Sequence, residues 1–439
     1  MHTPSASCLK VMNDTLIGVD NNGIITAILE PGTDDYTACL QQAEHSKRLT
    51  RMTATQFMLP GLVDLHIHAP QWPQLGKALH LPLQDWLMNC TFPLEARYSD
   101  PEFAGAVYRS LVSTLLANGT TSAVYFATIH QQATQILADI CVEKGQRAWV
   151  GRVAMDDPTQ CPDYYRDTDT RSGLQQTEQL INSIRAIPGN HRERVQPIIT
   201  PRFIPACTNE MLEGLGKLAS QYNCPIQTHC SESDWEHQYV IDRLGKTDTE
   251  ALHDFGLLTR KTVLAHSNLL TDSDMDTIGK HQSGIAHCPL SNSYFAGCVF
   301  PLRTALSKGL HIGLGTDISG GPSASMFDSC KHVISASRML ESGTDPEQAA
   351  EQRGVSDSRS NFIEAFYLAT AGGGQVLDQR IGKFEPGYHF DAMLIDTSAK
   401  DSNLTVFPAL DSDEDVFQKT IYGANRSNIR GVWVDGAQV

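Results

Sequence analysis

Short apolar segments that favour β-strands alternate with longer helical stretches through most of this chain. Eight such segments recur, and several are almost continuously apolar, as strands buried on both faces are. They are Leu62–His68, Thr120–Phe126, Arg147–Val153, Val195–Phe203, Pro225–His229, Thr262–Ser267, Gly284–Pro289 and His311–Asp317. Alternation of strand and helix is typical of a parallel sheet, and eight units over about 250 residues match a (β/α)8 barrel. The sequence therefore predicts an α/β fold with a (β/α)8, or TIM, barrel over residues 56–385.

The two ends of the chain follow a different pattern. Leu16–Ile28 indicates two strands around an Asn-Asn-Gly turn. Near the other end, Asp391–Ile395 and Ile429–Val434 are strand-like, and Asp435-Gly436 is a turn signal. We therefore expect residues 1–55 and 386–439 to form a small β-sandwich domain together, beside the barrel.

Composition limits the partners and the compartment. The 439 residues carry a net charge of −16, which disfavours a nucleic-acid partner because such proteins usually present a basic face. No apolar run approaches the roughly 18 residues of a membrane-spanning helix, and the N-terminus lacks the pattern of a signal peptide. The 11 cysteines are scattered, which is typical of reduced thiols. These features predict a cytoplasmic protein with a small-molecule substrate and no membrane partner.

Imidazoles and carboxylates recur at the carboxyl ends of the predicted strands, where the catalytic groups of a barrel converge. Side chains two apart on a strand face the same way, so His66 and His68 offer two ring nitrogens to one metal ion. Later strand ends supply Arg202, Phe203, His229, His266 and Asp317. Together these residues predict a metal-dependent hydrolytic site.

The same strand ends carry the motifs of a known superfamily. The chain resembles the amidohydrolase superfamily in the motifs Pro60-Gly-Leu-Val-Asp-Leu-His-Ile-His68, Thr228-His-Cys-Ser-Glu232, Leu264-Ala-His266 and Gly313-Leu-Gly-Thr-Asp317. Further segments resemble the guanine deaminases of that superfamily: His66-Ile-His-Ala-Pro-Gln71, Leu81-Pro-Leu-Gln-Asp-Trp-Leu87, Thr91-Phe-Pro-Leu-Glu95, Thr200-Pro-Arg-Phe203 and Ile285-Ala-His-Cys-Pro289.

The resemblance implies a complete metal site. The implied metal ligands are His66, His68, His229 and Asp317. Two-metal members of the superfamily commonly bridge their ions with a carboxylated lysine on strand four. The only basic residue in that segment here is Arg202, and an arginine stays protonated. We therefore expect one metal ion per subunit, Zn²⁺ or, as the alternative, Fe²⁺.

The resemblance also implies a reaction. Hydroxide from a metal-bound water adds to the amino-bearing carbon of guanine, and xanthine and ammonia are formed. The implied catalytic residues are Asp317 for the water proton, His266 for orienting the hydroxide and Glu232 for protonating a ring nitrogen. The implied substrate contacts are Gln71, Arg202, Phe203, His229, Glu232 and Asp317. The expected protein is a homodimeric guanine deaminase of purine catabolism or salvage.

Several alternatives stay open. Related chains hydrolyse chlorinated triazines or deaminate other aminated heterocycles, and others have lost their metal ligands and act as scaffolding proteins. The zinc deaminases that use His-x-Glu with Pro-Cys-x-x-Cys are excluded, because this chain has no Pro-Cys-x-x-Cys. For Arg202, an ion pair with an acidic residue is the alternative to substrate binding. Asp64 is expected to hold local backbone or an imidazole rather than the metal.

Overall fold

Most strands of this protein are short and buried. The computed structural model describes residues 1–439. Its strands are β1 His2–Ser5, β2 Cys8–Lys10, β3 Leu16–Val19, β4 Ile25–Leu29, β5 Gln56–Pro60, β6 Leu62–His68, β7 Thr120–Phe126, β8 Arg147–Gly151, β9 Val153–Ala154, β10 Val195–Pro197, β11 Thr200–Pro201, β12 Ile226–Cys230, β13 Thr262–His266, β14 Gly284–His287, β15 His311–Leu314, β16 Ala392–Asp396, β17 Ile429–Val434 and β18 Ala437–Gln438.

Helices separate most of the parallel strands. They are α1 Asp34–His45, α2 Leu83–Trp86, α3 Phe92–Ala96, α4 Pro101–Ala117, α5 Gln131–Lys144, α6 Thr170–Arg185, α7 Asn209–Tyr222, α8 Asp234–Leu244, α9 Asp248–Asp254, α10 Asp272–His281, α11 Pro289–Phe295, α12 Leu302–Ser307, α13 Met326–Ser342, α14 Phe362–Tyr367, α15 Gly373–Val376 and α16 Asp413–Gly423. No helical segment combines the length and the apolarity needed to span a bilayer.

Two parallel four-stranded sheets form the centre of the molecule. One has the order β10-β8-β7-β6 and the other the order β12-β13-β14-β15. A parallel bridge between Ile199 and Ile226 links the two sheets on one side. On the other side, the Asp317 amide donates to the His66 carbonyl at 2.9 Å. The predicted α/β fold with parallel strands is therefore confirmed.

Each of the eight predicted strand segments overlaps an observed strand. Leu62–His68 and Thr120–Phe126 have the predicted bounds. The long segment Val195–Phe203 is instead divided into β10 and β11. Both of these short strands end at a proline, Pro197 and Pro201, and a proline lacks the N–H that a continuous ladder needs.

Helix α4 illustrates how local sequence sets the elements between strands. Its N-cap Asp100 accepts hydrogen bonds from the amides of Glu102 and Phe103, and Pro101 occupies the first helical position. Leu111 and Leu115, four residues apart, are fully buried on its inner face. The helix is followed by Gly119, whose φ of +82° is readily adopted only by glycine. The next residue begins β7.

Strand β5 and three strands near the C-terminus form an antiparallel sheet with the order β18-β17-β16-β5. The predicted strand Ile429–Val434 has the observed bounds, and the strand expected at Asp391–Ile395 lies one residue later. The hairpin expected over Leu16–Ile28 is formed by β3 and β4. Strand β5 leads directly into β6 through Gly61, where a Cβ would collide with the side chain of Thr121. The antiparallel sheet is thereby joined rigidly to the first parallel strand.

Candidate metal centre and active site

Four of the predicted ligand side chains converge at one point. His66 and His68 lie at the end of β6, His229 near the end of β12 and Asp317 just after β15. Nε2 of His68 is 3.0 Å from Nε2 of His229. Oδ1 of Asp317 is 3.3 Å from Nε2 of His66 and 3.7 Å from Nε2 of His68. Such separations suit donor atoms that surround a single ion with bonds of about 2.0–2.2 Å.

The imidazoles have the protonation state that metal binding requires. Burial lowers the pKa of His66, His68 and His229 well below the usual value, and neighbouring positive charges lower it further. Nδ1 of His229 is 2.6 Å from the Arg202 carbonyl, to which it donates, so its Nε2 keeps a free lone pair. Nε2 of His66 is buried and has no hydrogen-bond partner. This set of neutral nitrogens and one carboxylate fits a divalent metal ion.

Asp64 supports the ligands without joining them. Its carboxylate accepts from the Thr316 amide at 2.9 Å, from the Thr316 hydroxyl at 2.6 Å and from the His66 amide at 3.3 Å. Burial raises the pKa of Asp64 to about 7, although these hydrogen bonds act in the opposite direction. Asp64 therefore ties the end of β6 to the segment that carries Asp317, and its bond from the His66 amide agrees with the expectation that it holds local backbone.

Glu232 and His266 lie on the other side of Asp317. Nε2 of His266 is 3.7 Å from Oε1 of Glu232 and 3.8 Å from Oδ2 of Asp317. Burial raises the pKa of Glu232 well above its usual value, and the nearby charge of Asp317 raises it further. Such a shift favours the protonated carboxyl group, which is the form that can act as an acid.

A chain of side-chain amides defines which nitrogen of His266 carries its proton. The backbone carbonyl of Glu232 can only accept a hydrogen bond. Asn268 therefore donates to it from Nδ2, at 2.9 Å. Oδ1 of Asn268 then accepts from Nδ2 of Asn292 at 2.7 Å. Oδ1 of Asn292 is left facing Nδ1 of His266 at 3.0 Å and must accept from it. Neutral His266 therefore turns an unprotonated Nε2 towards Asp317 and Glu232.

A pocket opens beside these groups. All six residues expected to contact substrate line it: Gln71, Arg202, Phe203, His229, Glu232 and Asp317. His68 also lines the pocket, whereas His66 and His266 are more deeply buried. The apolar part of the wall consists of Leu83, Trp86, Leu87 and Phe295; the sequence analysis singled out the segment Leu81–Leu87 but gave Phe295 no role. From the sequence alone, apolar side chains that line a pocket cannot be distinguished from those of the core.

Arg202 lines the pocket and also forms a buried ion pair. Its Nη1 lies 2.6 Å from Oε2 of Glu95, and its Nη2 lies 3.3 Å from Oε1. Gln71 donates from Nε2 to the same carboxylate at 2.9 Å. The ion pair considered as the alternative for Arg202 is therefore present, and the same side chain also lines the pocket. The sequence analysis gave Glu95 no individual role, although the residue ends the segment Thr91–Glu95, which resembles the guanine deaminases.

Known proteins are similar to this chain in sequence and in fold. Residues 57–439 match the profile of the Amidohydrolase family. The probable guanine deaminase of Schizosaccharomyces pombe is 37% identical over 446 residues, which cover 100% of this chain and 82% of that protein. The guanine deaminase of Rattus norvegicus is 36% identical, with 100% and 95% covered.

A solved structure extends the similarity to three dimensions. The crystal structure of guanine deaminase from C. acetobutylicum with bound guanine in the active site has a TM-score of 0.88 and 31% sequence identity. The match covers 100% of this chain and 97% of that one. The chain therefore belongs to the amidohydrolase family and, within it, to the group that contains the guanine deaminases.

Proposed function

We propose that this protein is a guanine deaminase, which hydrolyses guanine to xanthine and ammonia. The observation that carries the proposal is a single buried pocket in which Glu232 and Asp317 face Gln71, Arg202 and Phe203. One side of this pocket offers groups for water activation and proton transfer. Another side offers hydrogen-bond donors and an aromatic face suited to a purine. The full-length relatives named guanine deaminases support the same reaction.

We further propose that His66, His68, His229 and Asp317 hold one divalent cation per subunit. Zn²⁺ is favoured because three of the four donor atoms are imidazole nitrogens, and Fe²⁺ is the alternative. The only basic side chain at the end of strand β11 is Arg202, which cannot serve as a carboxylated bridge to a second ion. A bound divalent cation supplies Lewis-acid activation of water at neutral pH.

The side chains of the chain itself would divide the proton transfers. Asp317 takes a proton from the attacking water through the oxygen that faces His266. The unprotonated Nε2 of His266 accepts a hydrogen bond from the same water and orients it. Glu232, whose protonated form is favoured by burial, donates to a ring nitrogen as the water oxygen bonds to the amino-bearing carbon. The proton on Asp317 then passes to the amino group, the carbon–nitrogen bond breaks with release of ammonia, and the hydroxyl proton returns to Glu232 as the new carbonyl forms.

Guanine binding is assigned to the remaining wall of the pocket. Arg202 donates to the acceptor atoms on the purine edge, and Gln71 can donate and accept beside it. Phe203 packs against the ring. His229, Glu232 and Asp317 complete the contacts around the reacting carbon.

The domain organisation and the oligomeric state are also proposals. We propose that the two parallel sheets close into a (β/α)8 barrel, because backbone hydrogen bonds occur at both of their seams. The barrel domain would span residues 56–385, with 1–55 and 386–439 forming a β-sandwich. Strand β5 belongs to the antiparallel sheet, so it marks the junction of the two units. We also propose a cytoplasmic homodimer.

One experiment tests the reaction and the metal together. Purified protein is analysed for bound metal and then incubated with guanine, adenine, 2-aminopurine and a chlorinated triazine, with products separated by chromatography. We expect about one zinc or iron per subunit and conversion of guanine to xanthine as the fastest reaction. Faster turnover of another heterocycle would assign the site to that substrate, and a metal-free protein without turnover would indicate a scaffolding role.

A further inference from the structure

Glu95 lies behind the pocket wall and contacts two of the residues that line it. It belongs to helix α3 and is completely buried, and the side chain of its partner Arg202 is only 3% exposed. Its two carboxylate oxygens accept three hydrogen bonds, two from Arg202 and one from Gln71. The ring of Phe92, on the same helix, lies 4.8 Å from Cζ of Arg202. A carboxylate removed from water in this way is stable only with such partners.

These contacts leave Gln71 a single favourable orientation. Its Nε2 faces the carboxylate of Glu95, which can only accept, while its Oε1 accepts from the Ser319 amide at 3.2 Å. If the amide were rotated by half a turn, its oxygen would face the Glu95 carboxylate and its NH2 group would face the Ser319 amide, so neither hydrogen bond could form. Gln71 therefore keeps one Nε2 hydrogen for other partners, and its orientation is known.

Arg202 is oriented by the same carboxylate. Two of its N–H groups are directed to Glu95, and the plane of the guanidinium is held against Phe92. The remaining N–H groups can only donate, so an atom of a ligand beside them must be an acceptor. On a purine, the acceptors are a 6-oxo oxygen and an unprotonated ring nitrogen.

We propose that Glu95 is a positioning residue that determines substrate specificity. By holding Arg202 and Gln71 in one arrangement, it presents fixed donors to the 6-oxo edge of the purine. A purine without that oxygen would leave buried donors unpaired, which is a strong basis for rejecting a substrate. This inference rests on the proposed function and adds a residue that does not itself line the pocket.

The test compares two substrates that carry the same reacting group. Guanine and 2-aminopurine both have an amino group at C2, but 2-aminopurine lacks the 6-oxo oxygen. In Glu95→Gln, one acceptor oxygen becomes a donor that opposes Arg202 or Gln71. We expect the ratio of kcat/KM for guanine over 2-aminopurine to fall roughly tenfold or more, with a raised KM for guanine. A general loss of folded enzyme would lower both values equally, so an unchanged ratio would overturn the proposal.

A matched control uses another buried ion pair. Arg152 and Asp167 are each 1% exposed in their side chains, form an ion pair and do not line the pocket. Asp167→Asn should leave the substrate ratio unchanged, and a fall equal to that of Glu95→Gln would overturn the proposal.

A second variant covers the case in which Glu95→Gln does not fold. Glu95→Asp keeps the charge but is one methylene too short to reach both partners, so the ratio should again fall. An unchanged ratio, or failure of this variant to fold as well, would show that Glu95 serves folding and not specificity. Wild-type protein that does not convert guanine would instead refute the proposed function, and the inference with it.

Discussion

Buried polar side chains at the two ends of the parallel strands differ in their hydrogen bonding. At the amino end, Arg147 donates from Nε to Asp391 at 3.0 Å and from Nη2 to Asp435 at 2.5 Å. At the carboxyl end, Nε2 of His66 and Nε2 of His266 are equally buried and have no partner within the chain. The pairing of the buried Arg147 at the amino end suits stability. Unused donor and acceptor atoms at the other are a feature of sites that bind ligands.

Substitutions at the two ends of the strands should therefore have opposite effects. Unpaired buried polar groups lower stability, so replacing one at the carboxyl end should change activity with little loss of folding free energy. Breaking the ion pairs at the amino end should lower stability with little change in activity.

The largest expected effect is that of Glu232→Gln. Glutamine has the shape of a protonated glutamic acid but cannot transfer the proton. We expect kcat for guanine to fall by roughly 10²–10⁴-fold, while the free energy of unfolding stays unchanged. Steady-state kinetics and urea unfolding measure the two quantities, and the exposed Glu213→Gln serves as a control. Near-normal turnover in Glu232→Gln would exclude Glu232 as the proton donor.

The reverse pattern is expected for Asp435→Asn. Besides Arg147, Asp435 accepts from Nε of Arg194 at 3.0 Å and from Nδ1 of His389 at 2.6 Å. Asn tolerates the residue's positive φ of 49°, so the change removes charge and leaves the backbone unstrained. Because Arg147 then lacks half of its buried neutralising charge, we expect a loss of about 3 kcal/mol in unfolding free energy. Chemical denaturation measures it; a parallel loss of kcat would contradict the division between the ends.

The sequence predicted the strands best where a strand-like run directly follows a glycine that ends the preceding element. Leu62–His68 and Thr120–Phe126 are apolar runs preceded by Gly61 and Gly119, and both have the predicted bounds. The predicted strand Val195–Phe203 is too long, because the two prolines in this largely apolar segment interrupt the ladder. Strand periodicity also placed the metal-ligand candidates on one edge, since strand ends in a parallel sheet share that edge.

Residues that only orient another side chain of the site could not be predicted from strand periodicity. Glu95 lies 107 positions from Arg202 in the chain, and only the packing of α3 against the segment after β11 brings them together. Asn268 and Asn292 likewise meet across the ends of two strands. A single polar residue in a sequence carries no information about such a partner, so these contacts had to come from the structure.

A smaller effect is expected when the amide chain at the carboxyl end is broken by Asn292→Leu. Nδ1 of His266 would lose its acceptor, and the proton would be free to move to Nε2. We expect kcat to fall about 10–100-fold, the range found for residues that orient catalytic groups. Nitrogen chemical shifts of His266 should report the change of tautomer. An unchanged tautomer with lowered kcat would mean that Asn292 acts by another route.

The smallest effect concerns the pH dependence of the amino-end network. Burial alone would raise the pKa of Asp435, but the hydrogen bond from His389 and the charge of Arg147 outweigh it and hold that pKa well below its usual range. A depressed carboxyl pKa contributes stability that is complete above the unfolded value of about 3.9 and is lost as pH falls towards the folded value. The stability difference between wild type and Asp435→Asn should therefore be constant at neutral pH and shrink by about 1 kcal/mol near pH ~3. Urea unfolding of both proteins across this range measures the difference, and one that grew as pH fell would show that Asp435 is not stabilised as a carboxylate.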